Sequence, residues 1–235
     1  MRKSATLIVG LVLLFSTVGC AGAPGSAARP TQPDRSASAS ASAEPTAPAV
    51  EPITAIVILA DGVRFQAGAT ARETIAYDAP ADVALAAFAD ALGPQSGLKE
   101  HAATNHTPPT TEHQFGEGVA VLEPHYEAGV ENDPMIRPVW SVRAGTAAIG
   151  EVRIGTEGGI AVGSPVEDIP GWNDPDRMGT LTTSTGTLAE LLVVAAPGSQ
   201  LVPSASSGAY GVLAIADPYP GPITTLIAPS QHGGA

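Results

Sequence analysis

Cysteine occurs once in the 235 residues, at Cys20. A lone thiol rules out a disulfide within the chain and any metal site built from several cysteines. The core must therefore hold without covalent staples. Positive charge is also scarce: 11 Lys and Arg stand against 23 Asp and Glu, a formal net charge of −12, and Lys3 and Lys99 are the only lysines. A surface this acidic argues against nucleic acid as a partner and against adsorption to anionic lipid. No apolar run is long. The longest, Leu7 to Phe15, is broken by Gly10 and is too short for a stable membrane span. Catalytic signatures are missing too. The chain has no G-x-S-x-G, no S-x-x-K, no H-E-x-x-H and no lysine in its one glycine-rich "GTEGG" stretch.

What is present begins with location. Arg2 and Lys3 precede the apolar run, and Thr17, Val18 and Gly19 lead directly into Cys20. This order is that of a secretory signal, expected over residues 1–19. It resembles the lipobox of bacterial lipoproteins, with Thr17 where that motif usually has leucine. The resemblance implies that the Cys20 thiolate carries a diacylglycerol and becomes the first residue of the mature chain. Each buried lipid methylene then adds about 0.8 kcal/mol of membrane affinity. Residues 20–52 are rich in Ala, Ser and Pro without apolar periodicity. They are expected to be a disordered tether, spanning on the order of 30 Å as a coil.

One domain is expected over 53–229, with a flexible tail at 230–235. Its class is α+β, mainly antiparallel β-sheet, with one longer helix at about 80–92 and one short helix at about 165–169. Thr54 to Leu59 is a dense apolar strand, and Asp61-Gly62 predicts a hairpin into Val63 and Phe65. In the longer helix Asp78 is the expected N-cap, Leu85, Phe88 and Leu92 the buried face, and Gly93-Pro94 the stop. Ser164, Pro165 and Glu167 form a capping-box pattern for the short helix. Residues 94–116 carry no period and are expected to be a long loop. The stretches 139–145 and 148–155 are expected to pair antiparallel, 171–187 to be irregular, and Leu191 to Ala195 to be a strand. The elements at 56–92 and 148–169 echo each other faintly.

The run of apolar strand, Tyr77-Asp78, alanine-rich helix and Gly93-Pro94 is followed by "NHTPPTTEHQFGEGVAVLE", "GGIAVGSPVEDI" and a final "YGV" strand pair ending in "AP". In this order the chain resembles a group of secreted lipoproteins of high-GC Gram-positive bacteria for which no activity is known. The resemblance implies fold and location only.

Candidate site residues are few. His101, His106, His113 and His125 fall in one stretch with Glu100, Glu112, Glu117 and Glu123, but without metal-ligand spacing. Trp140 alternates with Val139 and Val142 and is expected in the core. Trp172 sits beside the acidic "NDPD". A ligand surface is expected at His106, His113 and Trp172, with no cofactor and no metal. The expected function is that of a lipid-anchored, extracytoplasmic, non-catalytic binding module of the cell envelope. Its partners would be the membrane, through Cys20, and an envelope protein, peptide or glycan. The alternatives are an envelope-acting hydrolase using the histidine-rich stretch and a purely structural envelope component.

Overall fold

Strand alternation builds most of this fold. The computed structural model describes residues 51–104, 107–127, 138–184, 186–195 and 209–232, all within the contact unit Pro48–Ala235. Thirteen strands are present among them: β1 Ala55–Ile58, β2 Gly62–Ala67, β3 Thr70–Ala76, β4 Gly97–His101, β5 Thr110–Phe115, β6 Val119–Pro124, β7 Ser141–Ala144, β8 Ala148–Ile149, β9 Val152–Thr156, β10 Met178–Thr183, β11 Gly186–Ala195, β12 Ala209–Ala216 and β13 Ile223–His232. The helix α1 spans Ala81–Leu92. The class is α+β with mainly antiparallel sheets, as the sequence predicts.

The strands form two sheets. The smaller has the order β3-β2-β1-β9-β8, and the larger β10-β11-β12-β13-β7-β6-β5-β4. Every pairing is antiparallel except β1 with β9. Thus β1 is the middle strand of one sheet, and β13 lies inside the other, between β12 and β7. The inner faces share one core with α1. Phe65 from β2 meets Phe88 of the helix edge-to-face at 5.2 Å, and Phe88 in turn packs on Phe115 of β5 at 5.7 Å and Trp140 at 6.3 Å. Such ring pairs add about 1 kcal/mol each beyond their burial. Trp140 is fully buried, as expected, and its indole N–H donates to the Ala76 carbonyl at 3.1 Å.

Several expectations are corrected. Residues 94–116 are no loop: β4 and β5 pair along their whole length, from Gly97 opposite Gln114 to His101 opposite Thr110. Residues 139–145 and 148–155 do not pair with each other. β7 joins β6 and β13, whereas β9 joins β1 and β8 in the other sheet. Residues 178–183 are a strand rather than irregular. The short helix is a single 3-10 turn, Val166–Asp168, without a side-chain cap. Ser164 Oγ instead accepts from the Ala161 N–H behind it at 3.1 Å. Helix α1 is capped by Pro80, not Asp78, and its most buried positions are Ala81, Ala84, Ala87 and Phe88, with Leu85 and Leu92 at the margin. Small alanines let the helix approach the sheet closely, so larger leucines ride at the edge of the contact. β13 continues past 229, pairing His232 with Ala209. The echoed second unit amounts to the two-residue β8, β9 and the 3-10 turn.

Candidate ligand-binding cleft

In the smaller sheet the core takes every second residue. Ile56 and Ile58 of β1, Val63 and Phe65 of β2, and Val152 and Ile154 of β9 all face inward. The period of two sends Ala55, Val57, Arg64, Gln66, Arg153 and Gly155 to the opposite face. Register then fixes their neighbours. Ala55 lies opposite Gln66 on one side and Arg153 on the other, and Val57 lies opposite Arg64 and Gly155. Two arginines therefore flank a floor of small apolar side chains.

A tight turn raises one wall. Thr156 N–H donates to the Ile160 carbonyl at 2.8 Å, Ile160 N–H donates to Thr156 Oγ1 at 3.2 Å, and Gly159 N–H donates to the Thr156 carbonyl at 3.0 Å. The turn lies so close over β9 that a Cβ on Gly155 would stand 2.9 Å from the Ile160 oxygen. Only glycine fits there. The result is a cleft of about 560 Å³ with a mainly apolar floor, bounded by Arg64, Arg153, Gln66, Glu157, Ala148 and Ala161. That volume is in the range of small-molecule sites.

Its charges are incompletely satisfied. Arg64 Nη2 donates to Glu157 Oε1 at 2.9 Å, yet Arg64 Nε is buried without an acceptor. Glu157 is two-thirds exposed, at 67% of its side chain. Elsewhere among the described residues the cations are engaged: Arg72 with Asp90, Lys99 and Arg143 with Glu112, and Arg177 with the carbonyls of Leu192 and Val193. Arg153 alone has no partner among the described residues, and it stands exposed at the cleft. In a chain of net charge −12 an unpaired arginine beside an apolar floor is a conspicuous donor.

A second, more polar cleft of about 360 Å³ lies on the outer face of the larger sheet, beside Glu112 and Arg143. Glu112 is buried, but beneath long polar side chains rather than within the apolar interior. Its Oε1 accepts from Gln114 Nε2 at 2.7 Å, and its Oε2 accepts from Arg143 Nη2 at 2.8 Å and sits 2.9 Å from His101 Nε2. Burial by itself would raise this carboxyl's pKa. The bonds from Gln114, His101 and Arg143 and the arginine's charge outweigh it, bringing the value from 4.5 to about 2. These groups satisfy one another, leaving little to offer a ligand.

The expected site residues are not brought together. Cys20 and His106 lie outside the described residues. His113 sits on β5, with Nδ1 3.1 Å from Gln95 Oε1 and Nε2 3.3 Å from Glu123 Oε2. Trp172 is half-buried against the core cluster, on the segment leading to β10, and its N–H donates to the Ile169 carbonyl. His113 thus lies on a strand of the larger sheet and Trp172 outside every strand, with no contact between them among the described residues. His125 Nε2 is 2.7 Å from Thr111 Oγ1, which is 3.0 Å from Glu100 Oε2. The hydroxyl thus lies between a carboxylate and an imidazole, and which of them takes its proton depends on the tautomer of His125. Among the described residues no three of His, Cys, Asp and Glu converge to hold a metal ion.

Comparisons with protein-family models, curated proteins and solved structures found no match.

Proposed function

We propose that this chain is a lipid-anchored protein of the extracytoplasmic envelope whose folded unit is a non-catalytic binding module. The anchoring rests on the sequence around Cys20, and binding rests on the cleft of the smaller sheet. The single observation that carries the binding reading is that unpaired arginine donors meet a small-residue floor in a cleft of about 560 Å³. Thr156 and Glu157 both line that cavity, but the Thr156 hydroxyl accepts from the Ile160 N–H and Glu157 pairs with Arg64.

Two substitutions test the two halves. Cys20→Ala removes the lipid acceptor, so the protein is expected to leave the membrane fraction; retention there after signal cleavage would end the anchoring reading. Ala148→Trp places a large ring at the exposed rim of the cleft without touching the core. Native mass spectrometry of the full Cys20→Ala chain, after incubation with an envelope extract, should show a retained small molecule. Adding Ala148→Trp should abolish it. Equal retention, or none in either chain, would rule out this cleft as the binding site.

A further inference from the structure

Resting on that binding reading, we infer that the ligand is a small organic acid: a carboxylate held between Arg64 and Arg153, with an apolar body on the floor of Ala55 and Val57. Glu157 occupies part of the head position when the ligand is absent.

The geometry supports this in three steps. First, Arg64 on β2 and Arg153 on β9 lie on either side of β1 and two residues apart along it, opposite Val57 and Ala55, which sets their backbones about 12 Å apart. Both line the cleft, and side chains as long as arginine's can reach one carboxylate set over Val57 and Ala55 from that separation. Second, the fold already demonstrates the chemistry. Arg64 bonds a carboxylate oxygen of Glu157 at 2.9 Å through one nitrogen and leaves its buried Nε without an acceptor. A guanidinium satisfies its fork best with both oxygens of one carboxylate, and Glu157 supplies a single contact. An incoming carboxylate that displaces Glu157 and reaches Arg153 gains the unpaired guanidinium, and a small shift of the Arg64 side chain would bring its buried Nε to the second oxygen. Glu157, mostly exposed, can swing into water at little cost. Third, the charge of the whole chain selects among anions. At net −12, the long-range field opposes a dianion about twice as strongly as a monoanion. A carboxylate is therefore favoured over a phosphate monoester, and the apolar floor favours an acid with a hydrocarbon body over a bare ion.

Isothermal titration of the full Cys20→Ala chain with octanoate, octan-1-ol and inorganic phosphate tests each part. Octanoate should bind, with octan-1-ol and phosphate each weaker by about tenfold or more, the size of one charge-assisted hydrogen bond. Arg153→Gln should weaken octanoate by about tenfold without changing the melting temperature, since the Arg153 side chain holds no partner among the described residues. Glu157→Gln should tighten octanoate several-fold, because the internal competitor loses its charge. A purely structural Glu157 would give the opposite sign. Octan-1-ol binding as tightly as octanoate, phosphate matching octanoate, or an inert Arg153→Gln would each overturn the proposal. So would a failure of octanoate to bind. If an extract-derived molecule is still retained by the parent chain and lost with Ala148→Trp, the cleft remains a binding site and only the carboxylate assignment falls.

Discussion

Glu112 shows how much one side chain can tie together. It is buried on β5 and draws in Lys99 and His101 from β4, Gln114 from its own strand and Arg143 from β7. Its folded pKa lies below the ordinary value, at about 2 against 4.5. A depressed carboxylate contributes stability that is fully present above about pH 4.5 and is lost as pH falls toward 2. The ceiling is about 3 kcal/mol, and because His101 and Lys99 are open to water the realised value should be nearer about 1 kcal/mol. Urea midpoints measured from pH 7 down to pH 2.5 should therefore decline in the natural chain. In Glu112→Gln they should start lower at pH 7 and fall less on acidification. Parallel declines in both chains would show that other groups carry the acid sensitivity.

The β4–β5 hairpin is the element where sequence and fold part most clearly. Replacing residues 98–112 with a Gly/Ser linker removes most of β4, the first half of β5 and Glu112, leaving Leu122 to Pro124 of β6 as a raw edge. The melting transition should drop by more than 10 °C or vanish, as a loss of several kcal/mol implies for a domain this size. A shift of only a few degrees would mean the hairpin is dispensable. Its strands were hidden because their apolar residues are few. Lys99, His101, Glu112 and Gln114 share one face, while the other carries Glu100, Thr111 and His113 with only Leu98 and Phe115, so no sustained apolar alternation marks them. β2 and α1 were legible because each buries one regular face, and β1 and β11 because each is a dense apolar run. The cleft was half legible. Alternation places Arg64 and Arg153 opposite the core residues of their own strands, but nothing local says that β9 lies beside β1. That pairing joins residues about a hundred positions apart, and parallel neighbours leave no turn motif between them.

At the scale of the whole molecule, the two sheets and α1 enclose a single core, and the first and last strands are both interior ones. Chain ends usually fray unless something ties them down. Here β1 is hydrogen-bonded on both sides, to β2 and β9, and β13 is bonded to β12 and β7. This matters for a domain that would hang from a membrane by its N-terminal segment. Tension directed along the axis of β1 would load the hydrogen bonds to both neighbours in shear, all at once. An outer strand would instead be peeled away one bond at a time. Stretched between residue 48 and its far end in an optical trap, the unit should yield in one abrupt rupture at high force. A staircase of small, low-force steps would contradict this. Drag from flow or from a moving partner would then stretch the tether long before it deformed the cleft.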